Sequence, residues 1–493
     1  MWFVFAGWAE STLKRLGKFV ICIFAAASLS LSALTARPVA AQTRYLLFQI
    51  FTYSPSAGDS SDSVFPPPGV LSRQVEDIVG RIGTTGSLQN KLGFAVGPLT
   101  FNHSDDEIRK TIKESFRIAR EKNVAVAFHI DAEKFWCQNH ALTSGSRNVE
   151  WLNWQGTANT GRRLDWSEKP AKVDPQMCFN TPAIKAAVSA RARLIGAEIA
   201  REVAALRAAG KEELFAGVIA GWETAIGRDF ATNSNLGYHA LANVGFGAKN
   251  TQAQCDARLV EIVREFMELW ANGIAQGGVV KDKIYCHIAF TSQGLDKTTG
   301  LTYAQQVGFA SPEVAFDKAY LPGFSTYPEE GAIEQVQKVV AAHGNPPWIS
   351  AEGTNVVPNG LPGESGMETY LGKMFNHHAV MVNIFSWGIG GEAEKNNFFR
   401  RATENDEALS AYRKFLTGKA LIERAPSANA FSVSKFKAKI QAIQVQVPQW
   451  IQRTRRMDVV QPRMMQLDSL CKQGKIQEAD KVADEILKIV GGK

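Results

Sequence analysis

Eight short apolar runs recur along the chain, and most are followed by a segment whose apolar residues return every three to four positions. The runs are approximately Tyr45–Tyr53, Leu92–Leu99, Val124–Ile130, Leu214–Trp222, Ile284–Phe290, Gly323–Tyr327, Trp348–Ala351 and Val380–Trp387. Their centres are rich in Val, Ile, Phe and Ala with little polar alternation, as expected of strands covered on both faces. Between them, Ser104-Asp-Asp-Glu107 has the spacing of a capping box, and Ile108, Ile112, Phe116 and Ala119 then form one apolar face. Thr181-Pro182 reads as an N-cap followed by proline in the first turn, opening a helix that runs toward Gly210. Residues 251–275, 329–343, 365–377 and about 396–417 also read as helices, with Gly344 as a stop.

Alternation of this number of strands and helices predicts an α/β fold, a (β/α)8 TIM barrel. A doubly wound open sheet is the structural alternative, but no G-x-G-x-x-G follows the first strand. After about residue 418 the periodicity becomes purely helical. Residues 432–454 and 462–490 read as two amphipathic helices, a small C-terminal α-helical appendage. The second carries a segment similar to half of a tetratricopeptide-type hairpin, although one copy cannot make a solenoid. The expected organisation is therefore a signal peptide over 1–41, a barrel over 42–418 and a helical hairpin region over 419–493.

The first segment rests on Lys14, Arg15 and Lys18 before an apolar stretch from Phe19 to about Thr35, then Val39-Ala40-Ala41 ahead of Gln42. A membrane anchor is the rival reading of the same stretch. The Ala/Ser richness and the small residues at 39–41 favour cleavage and an exported, periplasmic or extracellular protein with no stable membrane insertion afterwards.

Composition adds little to this. Hydrophobic content of 45% and charged content of 21% fit a globular protein. The formal charge of +7 is spread out, without a basic block interleaved with aromatics, so nucleic acid is not an expected partner. Five cysteines lie beyond the apolar leader, and Cys137 and Cys178 bracket a polar loop and are expected to pair in an oxidising compartment. No Cys/His cluster has metal-ligand spacing, so neither metal nor cofactor is expected.

The chemistry is carried by two glutamates. Glu223 closes the fourth run and Glu352 lies at the end of the seventh, 129 residues later. A carboxylate at the end of an apolar strand is costly unless it has partners or work to do. Either one alone also fits a structural role, Glu223 beside Arg228 or Glu352 capping before Gly353; two at matching strand ends favour chemistry. Two carboxyl groups flanking one bond are what glycoside cleavage needs. Trp222 beside Glu223 supplies an apolar neighbour that favours the protonated acid. Other candidate residues fall at strand ends: His129 and Asp131 close the third run, Tyr327 closes the sixth and Trp387 the eighth. His129 can equally be a satisfied core histidine, and His287, inside the fifth run, reads as structural. The long loop over 132–180 holds Trp136, Trp151, Trp154 and Trp166, which suit sugar stacking or simply pack their own loop.

This set resembles the clan A glycoside hydrolases, retaining barrel glycosidases with the acid/base on strand four and the nucleophile on strand seven. The segment Phe128-His129-Ile130-Asp131 through Trp136 looks like the strand-three end of family 42-type enzymes. The resemblance covers roughly residues 44–418. It implies Glu223 as acid/base, Glu352 as nucleophile, Tyr327 as a hydrogen-bond donor to that nucleophile and Trp387 as the floor of the sugar site. It also marks His129, Asp131, Trp136, Trp222 and Asn355 as substrate-binding candidates. One departure stands out: the clan places Asn before the strand-four Glu to bind the sugar 2-hydroxyl, and here that residue is Trp222. Asn355 or Asn383 would then supply the contact. The expected function is hydrolysis of a β-linked oligo- or polysaccharide by retaining double displacement. The alternative is a barrel that binds glycans without cleaving them, associated with surface polysaccharide.

Overall fold

The computed structural model describes residues 42–51, 69–143, 146–164, 171–289, 312–327, 332–354, 366–387, 403, 406–424, 433–472 and 475–491. Arg44–Lys493 forms one compact unit; the leader predicted over 1–41 lies outside the described residues. Eight parallel strands make the barrel: β1 (Arg44–Phe51), β2 (Asn90–Leu99), β3 (Ala125–Ile130), β4 (Phe215–Ala220), β5 (Ile284–Cys286), β6 (Gly323–Ser325), β7 (Trp348–Gly353) and β8 (Ala379–Trp387). They are hydrogen-bonded in the order β5-β4-β3-β2-β1-β8-β7-β6. The ring closes where Tyr285 and Ile288 bridge in parallel to Leu321 and Phe324, with the Cys286 N–H donating to Leu321 O and the Ile288 N–H to Gly323 O, each at 2.9 Å. The fold is a (β/α)8 TIM barrel.

The helices that cover it include α1 (Val70–Ile82), α2 (Asp105–Lys122), α3 (Pro182–Ala208), α4 (Gln252–Gln276), α5 (Ala332–Ala342), α6 (Gly366–Phe375) and α7 (Asp406–Leu416). Ser104 and Glu107 form the reciprocal capping box at the start of α2, and Thr181 caps α3 ahead of Pro182. Thr251 and Gln254 form a second capping box on α4, which the same spacing rule would have found. Apolar residues facing outward from the strands pack under these helices, for example Phe48, Phe94, Val126 and Phe128. The inward positions alternate with them. Tyr45, Leu47, Ala95, Ala125, Ala127, Ile219, Tyr285, Ile349, Ala351 and Met381 fill the barrel's lower interior. One step further along the strands the filling becomes polar, with Gln49, His129, His287, Ser325 and Asn383 all buried.

The C-terminal region holds three helices where the sequence suggested two: α8 (Val433–Thr454), α9 (Met457–Lys472) and α10 (Ile476–Gly491). Arg455, at φ 60°, ends the run through Thr454, and the long second segment is divided near Lys475, whose N–H returns to Leu470 O. The three share their own apolar core of Phe436, Ile443, Val447, Val460, Leu467, Val482, Ala483 and Ile486. Among the described residues, no helix is long and apolar enough to cross a membrane.

Candidate active site

Strands of a barrel deliver their end residues to one face, and both glutamates are found there. Glu352 sits on β7, paired in register with Ser325 of β6, and is only 7% exposed. Tyr327, just beyond β6, donates its hydroxyl hydrogen to Glu352 Oε1 at 2.6 Å. The other oxygen, Oε2, is buried without a hydrogen bond of ordinary geometry, although the Trp222 indole faces the carboxyl and favours its charge. Burial, then the neighbouring Glu223 charge, push the Glu352 proton affinity above the usual carboxylate range; Tyr327, Trp222 and Lys134 oppose them. The two carboxyl groups are close enough for the Glu223 charge to oppose ionisation of Glu352. Burial and the Glu352 charge also push the Tyr327 hydroxyl well up, so it remains a donor.

Glu223 follows β4 in an unusual conformation. Gly221 has φ 103° and Glu223 itself φ 52°, in the left-handed region that side chains rarely occupy. Such a residue costs of order 1–3 kcal/mol unless the surroundings hold it. Here they do. The buried Lys134 ammonium donates to Trp222 O, and the Ala225 N–H donates to Glu133 Oε1 at 3.3 Å. Glu133 is in turn bound by Arg162 at 2.5 Å and lies 3.5 Å from Lys134. A closed set of four buried charges, Asp131, Glu133, Lys134 and Arg162, thus clamps the residues on both sides of Glu223.

The remaining sequence candidates separate into two groups. His129, Trp222 and Tyr327 are gathered with the glutamates. Trp222 lies flat on His129, with ring centroids 3.9 Å apart and planes 2° apart. Asp131 faces the protein: its Oδ1 accepts from the Glu133 and Lys134 N–H groups at 3.2 and 2.9 Å. Trp136 is wholly buried, and its indole N–H donates to Pro175 O at 2.8 Å, so it offers no face to a sugar. Asn355 lies outside the described residues, as does the side chain of Trp387, the last residue of β8. Trp151 stacks on His239 and Trp154 meets Tyr238 edge-on, while Trp166 is outside the description. Two cavities of about 490 and 550 Å³ lie beside these loop aromatics, away from the carboxyl pair.

Cys137 and Cys178 are both free, contrary to the expected bridge. Each thiol has its own surroundings. Cys178 Sγ donates to Asn180 Oδ1 at 3.3 Å and faces Glu150, whereas Cys137 lies against Asp174.

Residues that the sequence did not single out complete the site. Ser325 Oγ lies 2.5 Å from Glu223 Oε1 and 2.8 Å from His287 Nε2. His287 Nδ1 lies 3.0 Å from His129 Nε2, and His129 Nδ1 lies 3.0 Å from Gln49 Oε1. Asn383 donates to the same Gln49 oxygen at 2.9 Å. Gly97 of β2 makes room for this row, since a Cβ there would lie 2.7 Å from His129 Cβ. The inward periodicity Tyr45, Leu47, Gln49 was the available signal for the row's end.

No protein-family model matches the chain, and no curated protein matches it in sequence. Similar solved structures exist. The catalytic domain of a β-amylase from Paenibacillus polymyxa is 9% identical, with a TM-score of 0.48 over 76% of this chain and 98% of that one. A β-galactosidase from the psychrophilic Marinomonas ef1 is 10% identical, with a TM-score of 0.45 over 76% of this chain and 59% of that one. The β-glycosidase from the hyperthermophile Thermosphaera aggregans is 9% identical, with a TM-score of 0.42 over 77% and 97%. The chain's own strands show what it is in fold: a (β/α)8 barrel, with one glutamate after its fourth strand and another on its seventh.

Proposed function

We propose that this protein is an exported glycoside hydrolase that cleaves a β-linked saccharide with retention. The observation that carries the reading is the placement of two facing carboxyl groups at the ends of β4 and β7. Glu352 has a hydroxyl donor on one oxygen and an unoccupied second oxygen, and Glu223 is held beside it in a strained, clamped conformation. In the first step Glu352 Oε2 attacks the anomeric carbon while Glu223 protonates the departing oxygen. In the second step Glu223 takes a proton from water, and the water oxygen displaces Glu352. Tyr327 holds the Glu352 carboxylate charge before the first step and again after the second. Trp222, Trp387 and Asn355 are the proposed sugar contacts. Asp131 and Trp136 act through the loop they pack.

The test is rescue by small anions. Glu352→Gly should abolish turnover, and azide or formate should restore it with inversion, attacking from the vacated side. Glu223→Ala should lose roughly 10²–10⁴-fold with substrates that need leaving-group protonation. It should lose far less with activated aryl groups, and azide should give a product of retained configuration. Wild-type-like turnover by either variant would remove that residue from its role. A wild-type protein that binds glycans but turns over no aryl glycoside would instead favour the binding barrel. The exported form is checked separately, by finding a mature N-terminus near Gln42.

A further inference from the structure

The row of buried groups behind Glu223 has a direction, which follows from counting donors. Gln49 Nε2 donates to Ile50 O at 3.2 Å and Ala95 O at 3.3 Å, and Asn383 Nδ2 donates to Gln49 Oε1. Turning the Gln49 amide over would set its oxygen against two carbonyls, so Oε1 must be the atom that faces His129. A carbonyl oxygen can only accept, which places a hydrogen on His129 Nδ1. In a neutral ring Nε2 is then a lone-pair acceptor, and the neighbour 3.0 Å away, His287 Nδ1, must carry the donated hydrogen. By the same step His287 Nε2 accepts, and the hydrogen it accepts is that of Ser325. A serine has one hydrogen to give. With that hydrogen committed to His287, the 2.5 Å contact between Ser325 and Glu223 needs a hydrogen from the carboxyl side.

The only other arrangement with the same number of protons makes one of the two rings an imidazolium and Glu223 a carboxylate. The surroundings oppose it. Both rings are 0% exposed. Burial first, and then the Lys134 charge, hold His129 well below the usual histidine range; burial, His129 and Lys134 do the same to His287. The Gly221 carbonyl also faces the His129 ring and Trp222 covers one side of it, but among the described residues no carboxylate is reached by either ring except through Ser325.

We propose that Gln49, His129, His287 and Ser325 form a one-way hydrogen-bonded relay that keeps the proton of the carboxyl pair on Glu223, with both histidines as neutral Nδ1–H tautomers. His129, His287 and Ser325 are positioning residues: they act through Glu223 and do not touch substrate. The relay ends on an amide that cannot pass a proton on, so it stores the acid form and does not conduct protons. With Glu223 neutral, the charge that opposes ionisation of Glu352 is removed, and the Tyr327 donor favours Glu352 as the ionised partner. The role given to that proton rests on the glycosidase reading; the tautomers and the proton's location do not.

Two measurements test this. Histidine labelled with ¹⁵N in the ring reports tautomers directly in the full chain, which has eight histidines. Signals from His129 and His287 are identified by their loss or shift in His287→Gln and Ser325→Ala. Both should show a protonated Nδ1 and a bare Nε2 from pH 5 to pH 9. A hydrogen on Nε2 of either ring, or an imidazolium at neutral pH, overturns the relay whether or not the protein cleaves any glycoside. The second measurement is the basic limb of kcat/KM, with an aryl glycoside that needs leaving-group protonation. In His287→Leu the Ser325 hydroxyl loses its acceptor and turns to donate to Glu223, favouring the anion, so the limb should move down by about one pH unit or more. Ser325→Ala, with neither donor nor acceptor, should move it less. His287→Gln restores an acceptor oxygen near the position of Nε2 and should bring the limb back toward the wild-type position. Limbs that coincide in all four proteins would overturn the role of the relay, and azide rescue of Glu223→Ala would show the glycosidase reading still standing.

Discussion

In the proposed mechanism the contact that most directly sets the reactivity of Glu352 is the hydroxyl of Tyr327, and Tyr327→Phe removes it with little change of shape. The bond is 2.6 Å long and its acceptor is 7% exposed, so water does not replace it easily. A hydrogen bond to a buried charged group contributes about 1.5–3 kcal/mol. It is stronger to the carboxylate than to the neutral acid, so it favours the charged form. Its loss raises the proton affinity of Glu352 by about 1–2 pH units at 1.36 kcal/mol per unit. A nucleophile must be ionised, so the acid limb of kcat/KM should move up by that amount. Below the shifted limb, turnover should fall about 10–100-fold. The basic limb belongs to the acid/base and should stay in place, so the profile narrows from one side. The assay is kcat/KM against pH with an aryl glycoside that needs leaving-group protonation, so that both limbs are seen. Thermal unfolding serves as the control, since the ring can keep its edge contact with Phe385. An acid limb that stays still or moves down would refute the reasoning.

Three further outcomes follow from the surrounding structure. Arg162→Met should cost about 3–5 kcal/mol in urea unfolding, because it leaves Glu133 buried beside Lys134 alone; adding Glu133→Gln should recover part of that. Glu150 is fully buried, and burial raises its pKa to about 7 against hydrogen bonds from His239 and Ala240. The native state therefore holds a proton that the unfolded chain releases between pH 4.5 and about 7, and stability falls as pH rises through that window, by about 3 kcal/mol at most. Glu150→Gln should flatten that slope in parallel denaturation curves, and an unchanged slope would contradict it. Gly353→Ala places a Cβ 2.4 Å from Tyr370 Oη and 2.5 Å from Thr326 Oγ1, one residue from Glu352. It should lower both melting temperature and kcat, with a stability loss of about 1–3 kcal/mol.

The barrel was legible in the sequence because buried parallel strands leave uninterrupted apolar runs, and each expected run overlaps a strand of the ring. Helix starts were legible where a side chain caps the backbone, as at Ser104 and Thr181. Glu223, Glu352 and Tyr327 were legible because a polar residue at the end of an apolar run is conspicuous. Ser325 and His287 were not, since a hydroxyl or a lone imidazole inside such a run has a ready structural explanation and its partners lie on other strands. The loop after β3 shows the same limit. Nothing local separates Trp136, which is sealed inside, from Trp154, which lines a cavity. Nor does bracketing a loop bring Cys137 and Cys178 into contact, because loop length does not fix where each Sγ points. At the C-terminus, amphipathic periodicity continues across the turn near Lys475, so two helices read as one.

The polar layer across the barrel bears on how the chain can be divided. Gln49, His129 and Glu223 come from the first four β/α units, and His287, Ser325 and Asn383 from the last four. A fragment ending before β5 would carry Gln49 and His129 with their outward partners missing; a fragment beginning there would carry the complementary deficit. Neither half satisfies its interior by itself, because three of the five contacts in the row, Asn383 to Gln49, His287 to His129 and Ser325 to Glu223, cross between them. Co-expressed halves should therefore reconstitute only as the matched pair. The layer that orders the proton on Glu223 would act in that setting as a code for assembly, rejecting a foreign half-barrel whose apolar packing was otherwise adequate.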